Sequence, residues 1–457
     1  MQALRFIIFL FLSSTTIFAQ PNVQLSGTFS QHAADTVYLQ IPTQFIAFEG
    51  ATHQAPIKDA KFQIDFELEE PALVVLHVGD QRVPLFLHPW DSLHIESGSK
   101  DLRQNLVFSG LGKNENEILQ TYRSDFLLSP PSVLYPESYR DKDPEDFLKS
   151  LNRRDKKVQK WWEEAQRTVS VSEKFAEYLS LRIRYDRAEE LLGYANYRSF
   201  TRIDPLPSSE FYESLNNVPL SEAKALHVYT YTTFLDAYLG YLGGLDSLNV
   251  RYFTVLYDLA GEKLTGKVRA HVQARTLVRA WRMGFWEAVE SRYLEYRRQN
   301  ESPAYSNLLQ RVHRLLDAVR TDMPAPNFVL QDVSGDMSSL KGFRGKHVLL
   351  TFWRTDCTGC LPDLERIARL SEKYTDAPIA FVFIALDTNK EQWKTFLQKR
   401  KLAGVHLWSH GIFSKVSQDY QLDTLPMLFL ITPEGKFAPP PGRPLEGLSQ
   451  SLEEAIK

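Results

Sequence analysis

Cys357 and Cys360 are the only cysteines in the chain, and their spacing suits disulfide exchange. They lie in the segment FWRTDCTGC, residues 352–360, directly after an apolar run that predicts a buried strand. In a helix that starts at the motif, residues three apart share one face, so the two sulfurs can meet. The free N–H groups and the dipole at that helix start would stabilise a thiolate on Cys357, the attacking species in exchange. Cys360, one turn deeper, would then resolve the mixed disulfide.

Three other interpretations of the cysteine pair stay open. A purely structural disulfide would close a loop of only four residues, which constrains the unfolded chain little. A zinc site needs about four ligands, but there is no second CxxC, and His347, His406 and His410 form no ligand-pair motif. Two inert buried thiols are the third alternative, and an oxidising compartment disfavours it.

The elements around the pair predict an α/β domain over residues 321–457. Apolar runs that read as buried strands alternate with helical segments, which is typical of a central sheet covered on both faces. An opening hairpin precedes them, at Asn327–Gly335 and Met337–Leu340. The predicted strands are His347–Trp353, Ile379–Leu386, Val405–Trp408 and Met427–Thr432, and the predicted helices are 358–374, 390–401 and 445–456.

Two further regions precede this domain. Six or so short alternating strands predict an antiparallel β module over residues 20–112. Mixed three- and four-residue apolar spacing, as in Glu173–Asn196 and Lys267–Asn300, predicts an all-α region over residues 113–320. The expected fold class is therefore multi-domain, with β, helical and α/β parts in that order.

The N-terminus and the composition bear on location and partners. Arg5, the apolar run Phe6–Leu12 and a small residue at Ala19 are typical of a cleaved signal peptide over residues 1–19. This run is too short to span a bilayer, and no later stretch reaches spanning length, so we expect a periplasmic protein with no membrane span after cleavage. Lys plus Arg total 53 and Asp plus Glu total 56, with no basic cluster, which argues against nucleic-acid binding.

From about Met323 onwards the chain resembles the TlpA/ResA-type thioredoxin-like family of extracytoplasmic thiol–disulfide oxidoreductases. The resemblance lies in the opening segment 325–346, in Phe352-Trp353 with the CxxC, in Thr424-Leu425-Pro426 and in the turn 433–436. It implies a thioredoxin-like fold, with Cys357 and Cys360 as the redox pair and Pro426 as a cis-proline that shapes the substrate groove. It also implies a functional acid at Asp363. The regions before residue 321 look like the appendages of many secreted TlpA-like proteins.

Two residues that precede the cysteines, Asp356 and Arg354, differ from the residues that related families carry at these positions. Asp356 stands where this family usually has Trp, and a carboxylate beside Cys357 should oppose thiolate formation. Arg354 stands where peroxiredoxins, which share the opening hairpin and the fold, carry Thr. Peroxidase chemistry is therefore disfavoured, and Asp356 favours a reducing rather than a strongly oxidising couple.

The leading hypothesis is a periplasmic enzyme that reduces protein disulfides. It needs no cofactor and no metal, because the cysteines carry the electrons, and it would be regenerated by a membrane redox partner. The alternative is an envelope binding or redox-sensing protein whose thioredoxin-like domain does not turn over. Turnover on a model disulfide separates the two hypotheses; the sequence leaves the substrate protein and the oligomeric state undetermined.

Overall fold

A computed structural model describes most of the chain. The described residues are 21–31, 34–42, 46, 53–79, 81–102, 105–127, 137–245, 249–299, 302–357, 360–422, 425–439, 448 and 452–453. The predicted signal peptide and most of the predicted closing helix at 445–456 lie outside the described residues.

The N-terminal region forms two four-stranded sheets that enclose an apolar core. Alternation places one face of each strand inward, as in Lys61–Phe66, where every second residue is buried. The sheet orders are β4-β1-β7-β8 and β3-β2-β5-β6, and all pairs are antiparallel except β1 with β7, which is parallel. The predicted β region is confirmed. Its strands are β1 Val23–Phe29, β2 Thr36–Gln40, β3 His53–Pro56, β4 Lys61–Phe66, β5 Ala72–Val78, β6 Gln81–Leu87, β7 Ser92–Ser97 and β8 Val107–Gly110.

The central region is helical, as predicted, and shares a large aromatic-rich core. The segment Lys267–Asn300, expected to continue as one helical pattern, is two helices, because Gly284 adopts a positive φ of 83° that ends the first. Two short 3₁₀ helices, Ser209–Leu215 and Ala223–Ala225, connect longer ones. The helices are α1 Lys113–Asp125, α2 Glu137–Asp141, α3 Pro144–Thr168, α4 Glu173–Thr201, α5 Tyr229–Leu242, α6 Val250–Lys263, α7 Gly266–Arg282, α8 Trp286–Gln299 and α9 Pro303–Asp317.

The C-terminal region is the predicted α/β layer structure. Its six-stranded sheet has the order β10-β9-β13-β12-β11-β14, with β11, β12 and β13 parallel and the other pairs antiparallel. Two apolar clusters line the domain, which explains why β11 and β12 are nearly continuous apolar runs. The strands are β9 Val329–Asp332, β10 Met337–Ser339, β11 His347–Trp353, β12 Ile379–Ala385, β13 Val405–Trp408 and β14 Met427–Ile431, and the helices are α10 Leu361–Lys373, α11 Lys390–Arg400 and α12 Lys415–Asp419.

Over the part of the chain that the structure describes, none of the helices combines the length and the apolar character that crossing a bilayer requires.

His271 in the core of the helical region generates a prediction about acid stability. Neither ring nitrogen has a hydrogen-bond partner among the described residues, and the ring meets Tyr305 edge-on. Burial, assisted by the charge of Arg275, lowers the pKa of His271 to about 3. The unfolded chain protonates this group below about pH 6.5, whereas the folded chain does not until about pH 3. Its contribution to stability is therefore complete above pH 6.5 and is lost as the pH falls through this window.

The unfolding free energy of the wild type should decrease as the pH falls from 6 to 4. We expect His271→Gln to reduce this slope by up to about 1.4 kcal/mol per pH unit. Urea unfolding followed by far-ultraviolet circular dichroism measures this slope. His94→Gln on β7 is the control, because it lies outside the helical core. Equal slopes in wild type and His271→Gln would show that the folded protein admits a proton at this site.

Candidate active site

The two cysteines lie at the end of the buried strand β11. Cys357 N donates a hydrogen bond to Arg354 O at 3.2 Å, and Cys360 N donates to Cys357 O at 2.9 Å, so the chain turns back on itself after the strand. These turns bring the sulfurs together: Cys357 and Cys360 form a disulfide, with their Cα atoms 5.2 Å apart. The intervening Thr358 and Gly359 lie outside the described residues.

The two sulfurs differ in exposure. Cys360 is 0% exposed and belongs to the apolar cluster that includes Trp353 and Leu364, whereas Cys357 is half-buried at the edge of that cluster. A thiolate must be reachable to attack another disulfide. The geometry therefore suits attack by Cys357 and resolution by Cys360, in agreement with the expected difference in exposure.

The helix after the motif begins later than predicted. α10 starts at Leu361 with Cys360 as its N-cap, instead of at about Thr358, and Pro362 fits its first turn, where a missing N–H is tolerated. Cys357 thus precedes the first helical residue by four positions. The dipole effect falls off within one turn, so it stabilises a Cys357 thiolate less than the sequence suggested.

A buried guanidinium beside the motif is a second source of positive charge, in addition to the helix dipole. Arg354 is 6% exposed, and its Nη2 donates to Asp356 Oδ2 at 2.7 Å. The carboxylate that was expected to oppose the Cys357 thiolate is therefore paired with a guanidinium. Sequence reasoning missed this pair, although opposite charges two residues apart in a turn were a visible signal.

Asp387, just after the neighbouring strand, fixes the same turn through hydrogen bonds. It is 0% exposed and follows the end of β12, and its Oδ1 accepts hydrogen bonds from Thr355 N at 3.0 Å and Thr355 Oγ1 at 2.5 Å. Its backbone oxygen accepts from Trp408 Nε1 at 2.8 Å, which ties in β13. Asp387 was not singled out from the sequence; a carboxylate directly after a buried strand was the available signal.

Pro426 and Asp363 complete the set of sequence-predicted residues. The Leu425–Pro426 bond is cis, as predicted, and Leu425 packs against the cluster that contains both cysteines. Asp363 is half-buried in the first turn of α10. The structure thus brings the Pro426 loop and Asp363 to the cysteine end of the domain, while their catalytic roles stay predictions.

No group of three or more His, Cys, Asp or Glu residues that could hold a metal ion occurs among the described residues.

Comparisons with known proteins find similarity for this region. Residues 345–437 match the family model described as thioredoxin-like. The thioredoxin-like protein YneN of Bacillus subtilis is 28% identical over 132 residues, which are 28% of this chain and 75% of YneN. The thiol-disulfide oxidoreductase ResA of Bacillus cereus is 31% identical over 112 residues, 24% of this chain and 64% of ResA, so the chain spans less than two thirds of that relative.

A solved structure of a thiol-disulfide oxidoreductase from Bacteroides fragilis is also similar. It is 28% identical, and the match covers 29% of this chain and 98% of that chain with a TM-score of 0.27.

The difference in exposure predicts the order of alkylation in the reduced protein. Cys357 should react first with a limiting alkylating agent, because Cys360 is fully buried. Peptide mass mapping after short exposures measures the order, and the urea-unfolded protein, in which both thiols are accessible, is the control. Preferential labelling of Cys360 in the folded protein would reverse the two assigned roles.

Proposed function

We propose that the chain is an extracytoplasmic oxidoreductase of the TlpA/ResA type that reduces protein disulfides through its C-terminal thioredoxin-like domain. The observation that carries this proposal is the disulfide between a half-buried Cys357 and a fully buried Cys360 at the end of β11. One sulfur of this pair can meet a substrate, while the other is held beside it and sheltered from competing thiols.

The reaction proceeds in two exchanges. In the reduced protein, the Cys357 thiolate attacks one sulfur of a substrate disulfide; a Cys357–substrate disulfide forms and the other substrate sulfur leaves as a thiol. The Cys360 thiolate then attacks Cys357 Sγ, which releases the second substrate thiol and forms the Cys357–Cys360 disulfide. The substrate gains two electrons and two protons, and the dithiol loses them.

The second exchange requires a buried thiol to lose its proton. Apolar burial raises the pKa of a thiol, so Cys360 needs a proton acceptor, and Asp363 in the first turn of α10 is the candidate. The cis Leu425–Pro426 bond at the start of β14 would shape the groove that receives the substrate chain. Each cycle ends with an oxidised pair, so a two-electron donor must restore the dithiol, and we assign this to a membrane redox partner.

Replacing either cysteine should have a different consequence. Cys357→Ser should abolish insulin-disulfide reduction, because no attacking sulfur remains. Cys360→Ser should instead accumulate mixed disulfides that reducing agent releases, because resolution fails. Turbidity of reduced insulin and non-reducing electrophoresis measure the two effects. Wild-type turnover by Cys357→Ser would disprove the catalytic role, whereas absence of turnover by the wild type itself would favour a binding or sensing protein.

The proposed location rests on the N-terminal sequence. Cleavage after Ala19 should leave a mature protein that begins at Gln20 in the periplasmic fraction. Intact-mass analysis of the protein from fractionated cells measures this, with Arg5→Glu as a variant that weakens the charged start of the segment. A full-length protein in the cytoplasmic fraction would contradict the location while leaving the cysteine chemistry untouched.

A further inference from the structure

The turn that leads to Cys357 is held by one buried acidic side chain. Asp387 is 0% exposed, and its Oδ1 accepts hydrogen bonds from Thr355 N at 3.0 Å and from Thr355 Oγ1 at 2.5 Å. Thr355 stands two residues before Cys357, and Cys357 N donates to Arg354 O at 3.2 Å. A single acceptor therefore fixes both the backbone and the side chain of the residue at which the cysteine turn starts.

Asp387 is itself attached to the sheet. It lies two residues after the end of β12, and its backbone oxygen accepts a hydrogen bond from Trp408 Nε1 of β13 at 2.8 Å. From the first turn of α11, Gln392 Nε2 donates to Thr355 Oγ1 at 3.2 Å. The Thr355 hydroxyl thus donates to Asp387 and accepts from Gln392. Through these bonds the cysteine turn is connected to β12, β13 and α11.

The two redox states depend on these hydrogen bonds to different degrees. In the oxidised protein, the disulfide to the buried Cys360 fixes Cys357 covalently. In the dithiol that bond is absent, and the non-covalent contacts of the turn must keep Cys357 near Cys360. Two groups react with a high effective concentration only when both are held in the reacting geometry. A fixed turn therefore favours closure of the disulfide.

We propose that Asp387 is a positioning residue of the active site, which holds Thr355 and thereby raises the effective concentration of Cys357 at Cys360. The inference rests on the proposed exchange chemistry and adds to it a residue outside the cysteine motif. Asp387 neither gains nor loses an electron in this role. The dithiol gives up its two electrons and two protons as in the exchanges described above, and the fixed turn makes this oxidation more favourable. The couple is therefore more reducing than the same cysteine pair on an unanchored turn.

Loss of the acceptor should loosen the dithiol more than the disulfide. In Asp387→Ala the turn gains conformational freedom chiefly when no covalent bond holds it, and this entropy stabilises the dithiol. The disulfide is then reduced more easily, so its midpoint potential becomes less negative. Asp387→Asn keeps an oxygen that can accept from Thr355, so its midpoint should match that of the parent. An effect of the negative charge would instead shift the midpoint equally in both variants.

The test is a redox titration of the full-length variants in dithiothreitol buffers, followed by acid quenching, alkylation and intact mass. We expect Asp387→Ala to shift the equilibrium constant toward the dithiol about fivefold to tenfold, which is about 20 to 30 mV at about 30 mV per factor of ten. Thr355→Val keeps only the backbone donor and should shift the midpoint less, in the same direction. Thr355→Ser keeps both donors and should restore the parent value.

Asp332→Ala is the matched control. Asp332 Oδ1 also accepts two hydrogen bonds within a turn, from Gly335 N and Asp336 N, both at 2.9 Å. This turn joins β9 to β10, and the sheet order places β13 and β12 between β9 and the strand that carries the cysteines. Its loss should therefore leave the midpoint of the cysteine pair unchanged.

An unchanged midpoint in Asp387→Ala would overturn the inference, as would an equal shift in Asp387→Asn or in Asp332→Ala. If far-ultraviolet circular dichroism shows that Asp387→Ala does not fold, the Thr355 variants decide, and equal midpoints in Thr355→Val and Thr355→Ser overturn the inference. Insulin reduction by the parent protein is measured separately. Absence of turnover there would refute the proposed function, while the shift in midpoint between variants still decides the role of Asp387.

Discussion

The position of β11 between β12 and β14 is the constraint on which the site depends. The strand is buried from Val348 to Trp353 and is apolar there except at Thr351, so the chain can change direction only beyond its end. The turn that follows is fixed by the hydrogen bonds from Thr355 to the buried Asp387, which follows the neighbouring strand β12. Cys357 thereby lies half-buried at the edge of the domain's apolar core, and Cys360 lies within that core. The difference in exposure that the exchange chemistry needs is thus a consequence of sheet order.

The burial of Arg354 explains why it is paired with an acidic residue beside the cysteine motif. An unpaired guanidinium buried as deeply as Arg354 would be strongly destabilising, and Asp356 offsets this by direct pairing at 2.7 Å. The carboxylate beside Cys357 is therefore one half of an ion pair. The rings of Tyr38 and His77 lie against Phe413, so the β region contacts the loop that follows β13 in the thioredoxin-like domain.

The features that were predicted correctly from the sequence are those that depend on local residue patterns. The order of β, helical and α/β regions and the cysteine pair were predicted, because periodicity and short motifs encode them. The cis bond at Pro426 was implied by the family resemblance. The α10 start and the break at Gly284 were misplaced, because helix ends depend on backbone conformation at single residues. The burial of Arg354 depends on the packing of the whole domain, and the contact of Phe413 with Tyr38 and His77 joins segments that are far apart in the chain. Spacing along the chain reveals neither.

The central claim is that Cys357 and Cys360 form an exchangeable couple, and a redox titration of the full-length protein tests it most directly. Defined thiol–disulfide buffers, acid quenching, alkylation and intact mass give the oxidised fraction at each potential. The account predicts one reversible two-electron transition with a midpoint above about −300 mV, nearer to the value of about −270 mV for thioredoxin than to about −120 mV for a strong oxidant. A pair that stays fully oxidised in buffers poised well below about −300 mV, as structural disulfides do, would contradict it.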